Sequence, residues 1–363
     1  MRARFVLLGF ALLVVPVMTV AIGAQSRSAP GNATLTAVPG IKVGHHTLAE
    51  RPTGCTVVLA EAGVTAGVDV RGSAPATRET DLLNPVHLVQ IAHAIVLSGG
   101  SAFGLGSASG VMRYLEDSRI GFEFGPAHMP IVPAAAIFDL SVGDGRIRPG
   151  PDCGYQAARA ATDAPVAEGS VGAGAGATLG KAGGMGRSMK GGVGSASITL
   201  PNGLIVAALV VVNAAGDVID PANGQVVAGV RTADGKSFAD ARKILRAGAP
   251  AFAPSGLRRA EPAESAGRQN TTLGVVATNA RLTKTEATRV SQMAHDGYAR
   301  ALAPSHTPGD GDVIFTLATG ERTGNADAGQ IGALAADVMA DAIVRAARQA
   351  TGVPGYPAVR DLK

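Results

Sequence analysis

Tryptophan is absent from the 363 residues, and nine phenylalanines with four tyrosines bring aromatics to only 4%. The core must be aliphatic, and no aromatic platform exists on which bases could stack. Lys and Arg are scattered, without clusters or interleaved aromatics, so nucleic acid is not expected as a partner. Only two cysteines occur, Cys55 and Cys153, and no CxxC spacing. That argues against a zinc ribbon or a dithiol redox pair. It leaves open one disulfide or two small buried thiols.

Common catalytic signatures are missing too. There is no HExxH and no GxSxG. The seven histidines are dispersed, and the adjacent pair His45 and His46 would point apart on an extended chain, so no metal is expected. The stretch "GAGAGATLGK" fails as a phosphate loop. Ala175 stands where the first glycine belongs, and Ala182 stands where a magnesium-binding hydroxyl belongs. No βαβ unit with a downstream acid accompanies the glycines, so a dinucleotide is not expected either. The chain is read as needing no cofactor.

What is present is 46% hydrophobic residues and 49 glycines, enough apolar surface for a large core with closely packed layers. Residues 1–24 read as a secretory signal peptide, with an uncleaved N-terminal anchor as the alternative. Arg2 and Arg4 precede an apolar run, Phe5 to Val20, and the small residues Ala21, Gly23 and Ala24 suit cleavage. A periplasmic or secreted protein is expected, with no membrane association once the leader is removed. No later run has the length and apolarity of a membrane span.

Periodicity places the elements. Cys55–Ala60 and Thr65–Val70 are β-prone runs joined by "EAGV", read as a hairpin-like pair. Val86 to Leu97 is rich in apolar residues, and residues 97–118 form a glycine-rich turn feeding a helix. Residues 129–144 read as a buried loop or strand. Leu204 to Val212 is apolar throughout, the pattern of a strand buried on both faces, and ends at Asn213. Phe238 to Arg246 reads as a short helix, and 246–270 as a flexible linker rich in Pro, Ala, Gly and charge. Beyond it come the strand Leu273–Thr278 and a helix opened by a Thr283–Glu286 capping box, with Ala287, Val290, Ala294, Tyr298 and Ala301 on one face. The strand Val313–Ala318 and a helix spaced by Ile331, Leu334, Val338 and Ala342 complete the chain. The class is α+β, sheets covered by helices.

One arrangement carries chemistry. In "RQNTTLGVVATNA" a polar approach ends at Asn270, and Thr271 heads a core strand. A cut between them would give Thr271 a free α-amine with a pKa of about 7.7–8.0, able to take the proton of its own Oγ. A threonine at a strand start also needs no chemistry to explain it, because β-branched residues suit strands.

Six blocks in order resemble the DmpA-like aminopeptidases, a family that includes the β-peptidyl aminopeptidases and the nylon-oligomer endohydrolase. They are "RGSAPATRETDLL", "LSGGSAFGLGSASGVMRYLE", "PIVPAAAIFDLSVGD", "MKGGVGSAS", "NTTLGVVATNA" and "GDGDVIFTLATG", and the similarity runs from Val38 to Ala350. The resemblance implies a four-layer αββα sandwich like that of the N-terminal-nucleophile hydrolases, with its own strand connectivity. It implies self-cleavage at Asn270–Thr271 into an α piece (25–270) and a β piece (271–363) of one domain, assembled as a tetramer of cut pairs. Thr271 looks like the threonine of the nylon hydrolase, where DmpA has serine. The remaining implied roles are Asp310 and Asp312 orienting the nucleophile and Lys190 supplying charge near it, with Lys181 a weaker candidate. Asn213 would be the oxyanion donor, and Ser101 and Phe138 would line the substrate pocket. Phe138 departs from the polar aromatic of several relatives. The expected function is an aminopeptidase or amidase releasing N-terminal residues from small peptides, amides or esters. The alternatives are an endo-acting hydrolase of amide oligomers or a non-catalytic binding relative.

Overall fold

The computed structural model describes residues 31–248 and 270–362. The expected leader and nearly all of the expected linker lie outside the described residues. Nine strands join the main sheet: β1 (Lys42–Thr47), β2 (Gly54–Val70), β3 (Thr77–Arg78), β4 (Ile91–Ser98), β5 (Ala134–Ala136), β6 (Gly192–Thr199), β7 (Ile205–Asn213), β8 (Thr271–Thr278) and β9 (Val313–Ala318). Their order is β6-β7-β8-β9-β2-β4-β5-β3, with β1 also on β2. The described helices are α1 (Ser107–Asp117), α2 (Pro151–Arg159), α3 (Ala241–Arg246), α4 (Lys284–Ala301) and α5 (Ala328–Gln349). Among the described residues, no helix is long and apolar enough to cross a membrane.

The expected hairpin at "EAGV" is instead one 17-residue strand, β2. Its first half pairs with β1 and β4, its second half with β9, and the ladder to β4 shifts register between Leu59 and Val64. Gly63, at φ 72°, serves a bulge and not a two-residue turn. Each half has other partners to satisfy its backbone, so nothing is gained by folding one on the other. The bend carries β2 from one sheet layer into the next.

Alternation along the strands then builds four layers. Val206, Ala208, Val210 and Val212 of β7 and Val276 of β8 pack against Val290 and Tyr298 of α4 and Met339 and Ile343 of α5. The opposite faces, Leu209, Val211, Leu273, Val275 and Phe315, meet Val43, Val58, Ile95 and Leu97 of β1, β2 and β4. The outer face of that second layer, with Val57, Leu59 and Val96, is covered by Val111 and Leu115 of α1 and Ala157 of α2. The arrangement is α, β, β, α. Glycine permits the close spacing: a Cβ on Gly194 of β6 would lie 2.0 Å from the Ala342 carbonyl oxygen of α5.

Several expected elements appear with adjusted bounds. All nine residues of β7 are buried. Thr283 caps α4 reciprocally with Glu286. The helix expected from Phe238 starts at Ala241, capped by Asp240. The apolar run from Val86 divides: only Ile91–Ser98 is strand, while Val86 and Leu88 are 84% and 91% exposed. Cys55 and Cys153 form a disulfide joining β2 to α2, which decides between the two alternatives left open above.

Candidate active site

The site sits where three strand ends meet. β7 and β8 run antiparallel, so Asn213, the last residue of β7, lies opposite Thr271, the first of β8. β8 and β9 run parallel, and their approaches travel together, with Asn270 bridged to Asp310. "NTT" and "DGD", distant in sequence, thus lie side by side. The Gly311 N–H donates to the Asn270 carbonyl oxygen at 3.1 Å. The Thr271 hydroxyl donates to that same oxygen. Gly311 has to lack a side chain here: a Cβ would lie 2.6 Å from the Ala74 carbonyl oxygen and 2.9 Å from Thr271 Oγ1.

Both expected carboxylates are beside this bond, buried, and held by one turn. Asp310 Oδ2 accepts from Thr307 N at 2.6 Å. Asp312 Oδ2 accepts from His306 N at 3.2 Å and lies 2.8 Å from His306 Nδ1, while its Oδ1 accepts from Thr272 N at 2.7 Å. Burial, reinforced by the Asp312 charge, pushes the Asp310 carboxyl up to about 6. Between 3.8, its ordinary value, and about 6, the folded protein keeps a proton that the unfolded chain has lost. This group therefore makes stability fall as pH rises through that window. Asp310→Asn should flatten that fall, read from urea midpoints at several pH values across the window. An unchanged slope would assign it to another group.

Asn213 is fixed by its neighbours. Its Oδ1 accepts from Thr178 N at 3.0 Å and from Lys181 Nζ at 2.9 Å, and its Nδ2 donates to the Phe138 carbonyl oxygen at 3.1 Å. This pattern sets which end of the amide carries the donors. Phe138 thus touches the site through its backbone. Ser101, at φ 56°, donates its N–H to Ile137 and brings the glycine-rich turn to the same edge. Behind Phe138 lies a buried ion pair. Asp139 accepts from Arg51 Nη2 at 2.9 Å, Thr53 Oγ1 at 2.6 Å and Gly100 N at 2.8 Å. Arg51 also holds the Val142 and Ile147 carbonyls.

The two lysines sit in different surroundings. Lys190 is fully buried, and its Nζ donates to the carbonyls of Gly174, Ala177 and Gly191 at 2.8–2.9 Å; no hydrogen bond joins it to Thr271. Lys181, ranked lower from sequence, is the one bonded to Asn213, and it lies in the field of Asp310. Burial lowers both ammonium groups to about 7. His306, Gly311 and the Arg51–Asp139 pair were not singled out from sequence. Only the spacing of His306 and Asp312 around "TPGDG" carried a local signal for any of them.

An enclosed hydroxyl beside two carboxylates, an amide donor and a buried lysine suits acyl transfer, and comparison with known proteins agrees. The sequence matches peptidase family S58 over residues 33–360. It is 41% identical over 350 residues to an uncharacterized aminopeptidase of Mycobacterium tuberculosis, covering 91% of this chain and 97% of that one. It is 31% identical over 323 residues to the 6-aminohexanoate-oligomer endohydrolase of a Kocuria species, covering 85% and 84%. In structure it is similar to the L-aminopeptidase D-Ala-esterase/amidase of Ochrobactrum anthropi, described as a variant of the Ntn hydrolase fold. The TM-score is 0.63 at 18% identity, covering 91% and 90%. The molecule is a hydrolase of peptide or amide bonds on an N-terminal-nucleophile type of fold. It belongs to peptidase family S58.

Proposed function

We propose that this chain is an exported, self-processing aminopeptidase or amidase that cuts itself between Asn270 and Thr271 and then uses Thr271 as nucleophile. The observation carrying this reading is the Thr271 hydroxyl resting on the Asn270 carbonyl while the Gly311 N–H polarises the same carbonyl. Attack of Oγ on that carbon breaks the C–N bond as the hydroxyl proton passes to the departing nitrogen, which leaves an ester and a free amine, and water then releases Asn270 as a carboxylate. The freed α-amine of Thr271 then accepts the Oγ proton as the hydroxyl attacks a substrate carbonyl. The proton passes to the leaving amine, and water clears the acyl group. An asparagine amide N–H aimed at the developing oxyanion is the natural role for Asn213.

Substrates are taken to be small peptides, amides or esters with a free amino end, by analogy with the aminopeptidase relatives. The endohydrolase relative supports endo-cleavage of amide oligomers as the second reading. The Cys55–Cys153 disulfide suits an oxidising compartment, in keeping with export to the periplasm or beyond. A tetramer of cut pairs remains the expected assembly. Intact-mass analysis of the active, purified protein tests the reading: two fragments are expected, the smaller beginning Thr-Thr-Leu-Gly. A single uncut chain with full activity would overturn it. A panel of aminoacyl p-nitroanilides against capped amide oligomers separates exo from endo action.

A further inference from the structure

His306 stands outside every role assigned so far, yet its geometry is unusual. It adopts φ 54°, a left-handed conformation that costs a non-glycine residue on the order of 1 kcal/mol or more. That conformation delivers two donors from one residue to one acceptor: its backbone N–H and its ring Nδ1 both meet Asp312 Oδ2, at 3.2 and 2.8 Å. The other oxygen of Asp312 takes the Thr272 N–H at 2.7 Å. An unbroken path therefore runs from the imidazole through the carboxylate to the residue after Thr271.

The ring is itself held in place. His295 packs edge-on at 4.9 Å between centroids, and Tyr298 lies at 5.8 Å, both from α4. His295 Nε2 lies 3.2 Å from the Asp69 carbonyl oxygen, and burial lowers its pKa to about 4, so it brings no positive charge against His306 near neutrality. With Nδ1 directed at Asp312, His306 Nε2 is buried and without a hydrogen-bond partner. An unmet buried polar atom is costly and calls for a reason. Fixing the carboxylate is one that the geometry supplies.

We propose that His306 is the positioning residue of the nucleophile: through Nδ1 it fixes Asp312, and through the Thr272 N–H it fixes where the Thr271 hydroxyl points. The two carboxylates thereby differ in duty. Asp312 is the anchor, with both oxygens engaged, whereas Asp310 is tied to its own turn through the Thr307 N–H. This inference rests on Thr271 being the nucleophile.

The side-chain nitrogen of asparagine overlays imidazole Nδ1, whereas that of glutamine overlays Nε2. His306→Asn should therefore keep the bond and His306→Gln and His306→Ala should lose it. Self-cutting is followed by mass against time, and kcat and KM are measured on cut protein, with thermal midpoints recorded alongside. Alanine and glutamine should slow cutting and lower kcat by on the order of 10- to 100-fold, with KM nearly unchanged, as a misplaced reacting group does. Asparagine should restore both rates to within about threefold. If alanine does not fold, the asparagine–glutamine contrast decides alone. Asparagine and glutamine behaving alike, or losses that simply track the thermal midpoint, would overturn the role of His306 while leaving Thr271 as nucleophile. A fully active wild type that never cuts would remove the nucleophile reading and this proposal with it.

Discussion

Thr271→Ala should yield a protein that stays in one piece and hydrolyses nothing. The alanine has no atom to place on the Asn270 carbonyl, so the bond beside Gly311 is polarised but unattacked. Without the cut there is no α-amine at position 271, and without the hydroxyl there is no acyl acceptor. Loss of the nucleophile in a comparable acyl-transfer site costs on the order of 10⁶ in kcat. Thr271 is almost wholly buried at the end of a long ladder, so the truncation should fold and keep its sheet. Thr271→Ser is the matching control, because it keeps the hydroxyl and should both cut and hydrolyse. Mass spectrometry and a single chromogenic substrate read both variants. Wild-type turnover by the alanine protein would move the chemistry to another residue.

The second large effect concerns stability. Asp139→Ala removes the carboxylate that Arg51, Thr53 and Gly100 share, leaving a guanidinium with no exposed side-chain surface and no counter-charge. Breaking a buried pair from one side typically costs about 3–5 kcal/mol. The urea midpoint should fall accordingly. Replacing both members with apolar residues, as in Arg51→Met with Asp139→Leu, should recover most of that loss, because the uncompensated charge is gone. Hydrolysis should not recover with it. The carboxylate also fixes Gly100 and stands next to Phe138, whose carbonyl receives the Asn213 amide. Equal destabilisation by the single and double replacements would mean that the hydrogen bonds, and not the charge, carry the cost.

What the sequence made legible was local. The apolar run of β7, the Thr283–Glu286 cap and the spacing of α4 and α5 are each written within one turn or one ladder of chain. The strand heads at Thr271 and Val313 were legible for the same reason, and with them the proximity of Asp310 and Asp312 to each other. The misread elements depend on partners far away. Nothing near "EAGV" says that β9, some 250 residues on, will occupy the second half of β2. The apolar Val86 and Leu88 look like core until the ladder begins at Ile91. Lys190 and Lys181 both lie in glycine-rich sequence, and only the packing around Asn213 distinguishes a lysine that reaches the amide from one held by three carbonyls. Arg51 and Asp139 are 88 residues apart and have no signature at all.

β8 and β9 are adjacent in the sheet, with β7 on one side and β2 on the other. If the Asn270–Thr271 bond opens as proposed, those two central strands would belong to one polypeptide and both flanks to the other. The sulfur bridge ties Cys55 only to Cys153, inside the larger polypeptide, so no covalent link spans the break. The halves would therefore travel together through any native separation, yet part in denaturant even with no reductant present. Rejoining them would require inserting a wedge between β7 and β2 and rebuilding both seams at once, which would make the proposed nick a one-way event in the life of the molecule.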